Sequence, residues 1–393
     1  MSTSTFEYGY IEGVEWLEDY RPGGYHPIQI DDCLRDRYRV IHKLGHGAFS
    51  TAWLALDEQT SKYVAIKVGT AEADRREAEI LAQLTTSGAA GSVAKDKAFM
   101  IPRALDHFSL LDVARSLAAQ LVVAVSFVHS QGYAHGDLHL GNLLLQMPSS
   151  FNDLSIEQFY AKFGAPALQP IVRLDGKPTS SVSGVPSHVV PPVRLAIPSN
   201  EITLSQAKLL LVDFGVSFRP SDKDRFESYS PLILRPPEVV FEPTSPLSFA
   251  SDIWTLGCVI FELLAHRSLI DGILVPPSEI TAQQIYLQGP LPPDWWDRYE
   301  DRFKWFDEAQ KPTSKECDIW SWDRCFQDSI QDARRHYGME VLNDNEAVAF
   351  LDMLRWMLAW KPKDRPTADQ VLDTVWMKRW ALPAYDQTQK AWA

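Results

Sequence analysis

The feature that most constrains the fold is a long apolar helix pattern that ends in a polar loop. Ser109 and Asp112 have the spacing of a capping box, and Gly132 marks the end of the pattern. Between them the apolar residues recur at helical spacing: Leu110, Val113, Leu117, Leu121, Ala124 and Val128. The loop "HGDLHLGN" at 135–142 follows, and then "LLLQM", which predicts a strand. The chain therefore folds around a central helix that delivers this loop.

The loop carries an Asp and an Asn five residues apart, Asp137 and Asn142. Phosphoryl-transfer enzymes use this spacing to place a catalytic base and a magnesium ligand together. The same letters fit two kinds of enzyme. Small-molecule phosphotransferases of the aminoglycoside and choline kinase type often have "HGDLHxGN", whereas protein kinases usually have "HRDLKxxN". The loop alone leaves both alternatives open.

Other segments add phosphate-handling chemistry in a fixed order. "GHGAF" at 45–49 predicts a turn between strands whose N–H groups can approach phosphates, since glycine has no side chain in the way. "VAIK" at 64–67 places Lys67 on a strand within reach of the α- and β-phosphates. Glu77, with Glu79 as second choice, lies on the predicted helix "EADRREAEILAQL" and would orient Lys67. Asp213 in "DFG" follows a strand-like "LLLV" and would hold a metal ion.

Composition limits the partners and the compartment. The chain has 393 residues, 45% of them apolar, which suffices for one large core or two lobes. A net charge of −13 disfavours direct nucleic-acid binding and suits a basic peptide. The four cysteines form no CxxC pair, and there is no signal sequence, so we expect a cytoplasmic or nuclear protein with free thiols. We judge the longest apolar run, "LAAQLVVAVSFVH", too short for a bilayer.

The ordered series resembles the eukaryotic protein kinase domain over residues 38–380. Three later stretches separate it from the small-molecule enzymes: "RPPEV" at 235–239, "SDIWTLGC" at 251–258 and "KDRPTA" at 363–368. By this resemblance Asp252 braces the catalytic loop, and the arginine of "KDRPTA", Arg365, pairs with Glu238. The leader "YRPGGYHP" and the "GHGAFSTAWLALD" turn are similar to SR-protein kinases, which phosphorylate serines in Arg/Ser-rich splicing factors.

The resemblance implies an α+β, bilobal fold with a small, truncated β-rich N-lobe and a large helical C-lobe. We divide the chain into a leader (1–37), a kinase domain (38–380) with lobes at 38–108 and 109–380 and an irregular insert at about 148–206, and a C-terminal tail (381–393). ATP and Mg²⁺ are the implied cofactors, with catalytic roles for Asp137, Lys67, Glu77 and His139 and metal binding by Asn142 and Asp213. The implied nucleotide-binding positions are Leu44, Gly45, His46, Gly47, Ala48, Phe49, Ser50, Thr51, Ala52, Ala65, Lys67 and Leu144.

The sequence departs from the kinase pattern at several positions. Gly136 replaces the usual Arg before the catalytic Asp, and His139 replaces the usual Lys. Residues 85–108 are too few for a loop, two strands, the adenine-binding hinge and a further helix.

Three functions therefore stand: an ATP-dependent serine/threonine protein kinase acting on Arg/Ser-rich proteins, a pseudokinase or interaction protein that lacks the hinge, and a small-molecule phosphotransferase.

Overall fold

The computed structural model describes residues 8–21, 23–70, 80–81, 83, 110–174, 185–195, 202–222, 224–313 and 320–392. The chain divides into two compact units. The β-rich unit comprises Met1–Arg75 and Met147–Pro198, and the helical unit comprises Arg76–Gln146 and Ser199–Ala393. The predicted insert thus belongs largely to the β-rich unit, although it interrupts the sequence of the helical one.

The helical unit is built around the predicted central helix, α1 (Leu110–Ser130). Its core contains Leu121, Val122 and Val125 of α1 together with Trp254 and Phe350. Gly132 follows α1 with a φ of +83°, the left-handed conformation that ends helices and favours glycine. Short strands that follow the loop and precede "DFG" pair antiparallel, as Leu143–Leu145 with Leu209–Leu211.

The α-helices that follow α1 in the described part of this unit are α3 (Glu238–Phe241), α4 (Phe249–Leu264), α5 (Pro277–Gln288), α6 (Pro293–Trp296), α7 (Trp322–Phe326), α8 (Ala333–His336), α9 (Asp344–Met357), α10 (Ala368–Leu372) and α11 (Leu382–Trp392). Helix α2 (Ile156–Phe163) belongs to the β-rich unit. The segment predicted as a tail is α11, which packs on α1 through a 2.7 Å hydrogen bond between Thr388 and Ser116.

Within the described residues, one helix is long and apolar enough by length and composition to cross a membrane. This is the 20-residue stretch Leu111–Ser130. Our expectation that the apolar run is too short for a bilayer was therefore wrong as regards its length. Its most apolar window is 78% buried inside the fold, as in the core helix of a soluble domain. It is weak evidence for a membrane span.

The β-rich unit contains a four-stranded antiparallel sheet in the predicted hairpin region. Its strands are β1 (Cys33–Leu34), β2 (Tyr38–Gly47), β3 (Ser50–Asp57) and β4 (Lys62–Gly69), in that spatial order. The β2–β3 hairpin closes at Gly47 and Ser50, which places the glycine pair at its tip. Asp57 fixes the next turn, because its carboxylate accepts hydrogen bonds from Arg37, Thr60 and the Gln59 N–H.

Each face of this sheet is covered in part, one by the leader and the other by the insert. Ile28 of the leader packs with Val40 and Trp53. On the other face Leu54 packs with Phe151 and Phe159 of the insert.

The predicted insert contains a helix, α2 (Ile156–Phe163), that starts with a capping box between Ser155 and Gln158. It also contains a two-stranded pair, Gln169–Pro170 with His188–Val189. We expected it to be irregular because it is rich in Pro and Ser, but Phe159 and Phe163 give α2 an apolar side that the sheet buries. The stretch "GKPTSSVSGVPSHVVPPV" at 176–193 is its most linker-like part, and residues 176–184 of it lie outside the described residues.

A buried ion pair fixes the leader to the sheet. Glu15 accepts hydrogen bonds from the Lys43 ammonium and from the Tyr20 hydroxyl. Both charged side chains are essentially inaccessible, at 0% and 1% exposed, and Lys43 also lies over the Trp53 ring. Burial alone raises the pKa of the Glu15 carboxyl, but the charge and hydrogen bonds of Lys43 and Tyr20 outweigh it and hold that pKa below its usual value.

Lys43→Met should lower the free energy of unfolding of the β-rich unit by about 3–5 kcal/mol, because it leaves the Glu15 carboxylate buried without its cation. The double variant Glu15→Gln/Lys43→Met removes both charges and keeps an acceptor for Tyr20, so it should recover most of the loss. The measurement is the urea concentration at the midpoint of the unfolding transition that exposes β2 and β3. Pulsed hydrogen exchange monitors this transition. Equal midpoints for the two variants would contradict this account.

Candidate active site

A fully buried carboxylate holds the loop at 135–142 in place. Asp252, in the first turn of α4, accepts hydrogen bonds from the backbone N–H groups of His135, at 2.7 Å, and Gly136, at 2.9 Å. Its Oδ2 also lies 2.9 Å from Nε2 of His129, near the end of α1. Burial raises the pKa of Asp252, but these partners outweigh it, so the pKa is lowered and the group stays ionised. This is the bracing role that the resemblance implied for Asp252.

The loop brings Asp137, Asn142 and His139 together. The Asn142 amide nitrogen donates to the Asp137 carbonyl at 2.9 Å and lies 3.5 Å from its Oδ2. Nε2 of His139 lies 3.7 Å from the same Oδ2. The other carboxylate oxygen, Oδ1, is buried and has no hydrogen-bond partner in the described part of the chain. One carboxylate oxygen of Asp137 thus faces Asn142 and His139, and the other has no hydrogen-bond partner among the described residues.

Two residues of the site have left-handed backbone conformations. Gly136 has a φ of +81°, and a Cβ there would lie 3.2 Å from the Val216 carbonyl oxygen. An L-residue would be strained at this position, which explains why glycine replaces the usual Arg. Asp213 of "DFG" has a φ of +66°, a rare conformation that is typical of functional sites.

The predicted pair between Arg365 and Glu238 is present. The Arg365 guanidinium donates two hydrogen bonds to the Glu238 carboxylate, at 2.6 and 2.8 Å. Both side chains are buried. Arg365 also donates to the Ala250 carbonyl at the start of α4, so the pair ties the end of the segment that begins at "DFG" to the helix that carries Asp252.

In the β-rich unit the sheet register puts four of the predicted nucleotide-binding positions on one face. Gly45 pairs with Ala52, and Ala52 pairs with Lys67. Ala65 is two residues from Lys67 and shares its face, and both are exposed. A Cβ added at Gly45 would meet no described atom within 4 Å, so neither packing nor backbone angle requires glycine there. The open space above its backbone fits a phosphate-binding turn.

Two other predicted nucleotide-binding side chains point to the opposite, leader-covered face. Thr51 is 1% exposed, and its hydroxyl accepts a 3.0 Å hydrogen bond from the Trp53 indole. Its cross-strand partner His46 hydrogen-bonds to the backbone of Gly13 in the leader. At Thr51 only the main chain is therefore available to a nucleotide, whereas His46 is exposed.

Two predicted features lie outside the described residues: Glu77, with its alternative Glu79, and the short connection at 85–108. Leu144, a predicted nucleotide contact, is 49% exposed on its short strand. The sequence analysis did not identify His129 as part of the site. The only indication in the sequence was its position in the last turn of the predicted helix that follows Ser109.

The oxygen-bearing residues suit a magnesium ion. Asn142 offers an amide oxygen, and Asp213 offers a carboxylate two residues after its strand. No cluster of three or more His, Cys, Asp or Glu side chains that could hold a metal occurs among the described residues. Mg²⁺ typically takes one or two carboxylates together with substrate phosphates, so this small set fits it.

Comparison with known proteins gives the class first. Residues 198–377 match the family described as Protein kinase domain. A crystal structure of a kinase domain has a TM-score of 0.53 to this chain, with 19% identity, and covers 90% of this chain and 98% of its own. The predicted bilobal kinase fold, with a β-rich N-lobe and a helical C-lobe, is confirmed.

The relatives narrow the class. A serine/threonine protein kinase of Aspergillus fumigatus is 23% identical over 92% of this chain and 90% of its own length. Human SRSF protein kinase 3 is 53% identical over 57 residues, which are 14% of this chain and 10% of the relative. Over the matched residues the chain is similar to protein kinase domains, and among the relatives it is similar to the SR-protein kinases, as its sequence indicated.

The His139 imidazole should titrate above its usual pKa in the metal-free protein. The Asp137 carboxylate, 3.7 Å away, and the charges of Asp213 and Glu262 raise its pKa against the effect of burial. Folding thus favours the charged form of His139. Its contribution to the free energy of unfolding is complete below about pH 6.5 and is lost as the pH rises through the folded-state pKa.

The measurement is a histidine NMR titration without divalent cations, with the His139 signal assigned by its loss in His139→Gln. His42 is an internal control, because burial lowers its pKa. Asp137→Asn should bring the His139 pKa down. A His139 pKa below that of His42 would contradict the assignment.

Proposed function

We propose that the chain is an ATP-dependent serine/threonine protein kinase that transfers the γ-phosphoryl group of ATP to serine in protein substrates, a non-specific serine/threonine kinase of the 2.7.11.1 type. The observation that carries this proposal is the loop clamped by Asp252, which holds Asp137 beside Asn142. The kinase domain match and the serine/threonine kinase relatives support it.

In this mechanism Asp137 orients the attacking hydroxyl and accepts its proton. The Asp137 side chain is 21% exposed, so its carboxylate can receive this hydrogen bond, and its Oδ2 faces Asn142 and His139. A cationic His139 places positive charge where protein kinases usually carry Lys, next to the group being transferred. Its raised pKa favours this form.

Asn142 and Asp213 would hold Mg²⁺, which neutralises phosphate charge when bound. The turn at 45–49 would bind phosphates through backbone N–H groups, and Lys67 would contact the α- and β-phosphates with Glu77 as its partner. Ala52, Ala65 and Leu144 would provide apolar surface for the adenine ring.

We also propose Arg/Ser-rich proteins as substrates. The net charge of −13 and the similarity to SR-protein kinases support this preference. A cleft of about 820 Å³ in the helical unit is lined by Asp271 and Glu279, while its Arg267 is stacked at 4.0 Å on Trp320. The lining thus carries two carboxylates and one guanidinium, a negative balance that would favour a basic peptide. The proposal includes a cytoplasmic or nuclear location, with neither nucleic acid nor a membrane as direct partner.

The short connection at 85–108 favours a second function, a pseudokinase or interaction protein. Without a hinge, the polar edge of adenine would lose about two hydrogen bonds of about 1–3 kcal/mol each. A thermal shift with Mg·ATP separates the two functions, since a pseudokinase without nucleotide binding shows none. A screen of peptides against small metabolites tests the remaining alternative, a small-molecule phosphotransferase.

Asp137→Asn should reduce phosphoryl transfer at least a thousandfold while leaving the melting temperature nearly unchanged, because it removes a base and keeps the side-chain shape. Asp213→Ala should abolish the magnesium dependence of ATP binding. Radiolabelled phosphate transfer and calorimetry measure the two effects, with Asp153→Asn as an exposed control. Activity that survives Asp137→Asn would refute the assignment.

The enzyme should prefer serines flanked by arginines, and this preference should weaken as salt screens the charges. Asp271→Asn/Glu279→Gln should raise KM for such a peptide about three- to tenfold and leave kcat nearly constant, because the cleft would bind the peptide away from the reacting atoms. Glu300→Gln/Glu308→Gln removes the same charge elsewhere on this unit and serves as control. A peptide array that favours acidic or proline-directed sites would exclude this substrate class.

A further inference from the structure

We propose that the leader positions the phosphate-binding turn at 45–49 through the hydroxyl of its Tyr25. This inference rests on the proposed function, since it assigns the turn to nucleotide phosphates. Tyr25 is a positioning residue, because it contacts the turn and not the nucleotide. The leader motif "RPGGY" thereby gains a role that the kinase motifs leave unexplained.

The contact is direct and buried. The Tyr25 hydroxyl lies 2.7 Å from the Gly47 carbonyl oxygen and 3.2 Å from that of Ala48, so one hydrogen is shared between two adjacent carbonyls. Tyr25 is 7% exposed. The two carbonyls belong to the tip of the β2–β3 hairpin.

Holding these carbonyls also fixes the N–H groups. In a planar trans peptide the C=O of one residue and the N–H of the next point in opposite directions. Carbonyls of Gly47 and Ala48 that point at the leader therefore turn the N–H groups of Ala48 and Phe49 away from it. Neither N–H donates to another group in the described part of the chain. These are the donors that a phosphate would require.

The leader is a rigid support for this contact. Gly24 is required by close approach, because a Cβ there would lie 1.9 Å from the Asp19 carbonyl oxygen. This tight turn brings Tyr25 back to Asp19, with a 3.0 Å hydrogen bond between their backbones. Tyr20 packs against the Tyr25 ring at 5.8 Å and donates to Glu15, which is paired with Lys43 of β2. The hydroxyl is thus anchored to the same strand that carries the turn.

The simpler alternative is that Tyr25 only satisfies buried polar groups and contributes stability. Tyr160 allows the two roles to be separated. Its hydroxyl donates to the Ile41 carbonyl at 3.1 Å, on the same strand but away from the turn. Tyr25→Phe and Tyr160→Phe therefore delete the same chemical group from two contacts with β2, one at the turn and one remote from it.

The first measurement is hydrogen–deuterium exchange of residues 44–50 in the full chain without nucleotide. Tyr25→Phe should accelerate exchange in the turn, and Tyr160→Phe should not. The second is steady-state kinetics, in which Tyr25→Phe should raise KM for ATP about three- to tenfold, the effect of one lost hydrogen bond, with kcat within about twofold of wild type. Tyr160→Phe should leave both constants unchanged.

Unchanged exchange in the turn of Tyr25→Phe would overturn the inference. Faster exchange with an unchanged KM for ATP would also overturn it, because the hydroxyl would then be structural only. A wild-type chain that shows no Mg·ATP thermal shift would refute the proposed function itself. A wild-type chain that binds ATP, next to a Tyr25→Phe variant that behaves identically, would refute the role of Tyr25 alone.

Discussion

The carboxylate of Asp252 is the interaction on which the candidate site depends. It is buried, and it hydrogen-bonds to the N–H groups of His135 and Gly136 and to the imidazole of His129. Each of these groups would be costly to leave unpaired in the core, so they hold one another in one arrangement. Asp137 follows directly after the clamped residues. The apolar packing of α1 against α4 therefore determines where a polar, solvent-accessible group lies.

The same constraint accounts for the unusual spelling of the loop. A kinase loop normally carries Arg where this chain has Gly136, and the left-handed backbone at that position explains the glycine without reference to regulation. The loop thus resembles that of small-molecule phosphotransferases in letters, while the bidentate pair of Arg365 and Glu238 and the clamp by Asp252 are those expected for a protein kinase domain.

The β-rich unit is stabilised by the segments that pack on its sheet. Its four described strands form a small sheet with two apolar faces, and such a sheet needs cover on both sides to be stable. The leader covers part of one face and the insert part of the other, although 86 residues of sequence, 70–155, separate β4 from α2. The buried pair of Glu15 and Lys43 specifies where the leader lies, because any displacement would leave a charge unpaired in the interior.

The sequence by itself determined the fold class, the limits of α1, the β2–β3 hairpin and the pairing of Arg365 with Glu238. The limits of α1 and the hairpin follow from local periodicity and turn residues, which are written in short stretches of chain. The fold class and the Arg365–Glu238 pair were implied by the resemblance of the ordered motifs to protein kinases. Only the tertiary structure decided that the insert folds with the β-rich unit, that His129 joins the Asp252 clamp, and that Thr51 and His46 face the leader. Those outcomes depend on contacts between residues far apart in sequence, and composition and spacing carry no information about which distant surface will bury a given side chain.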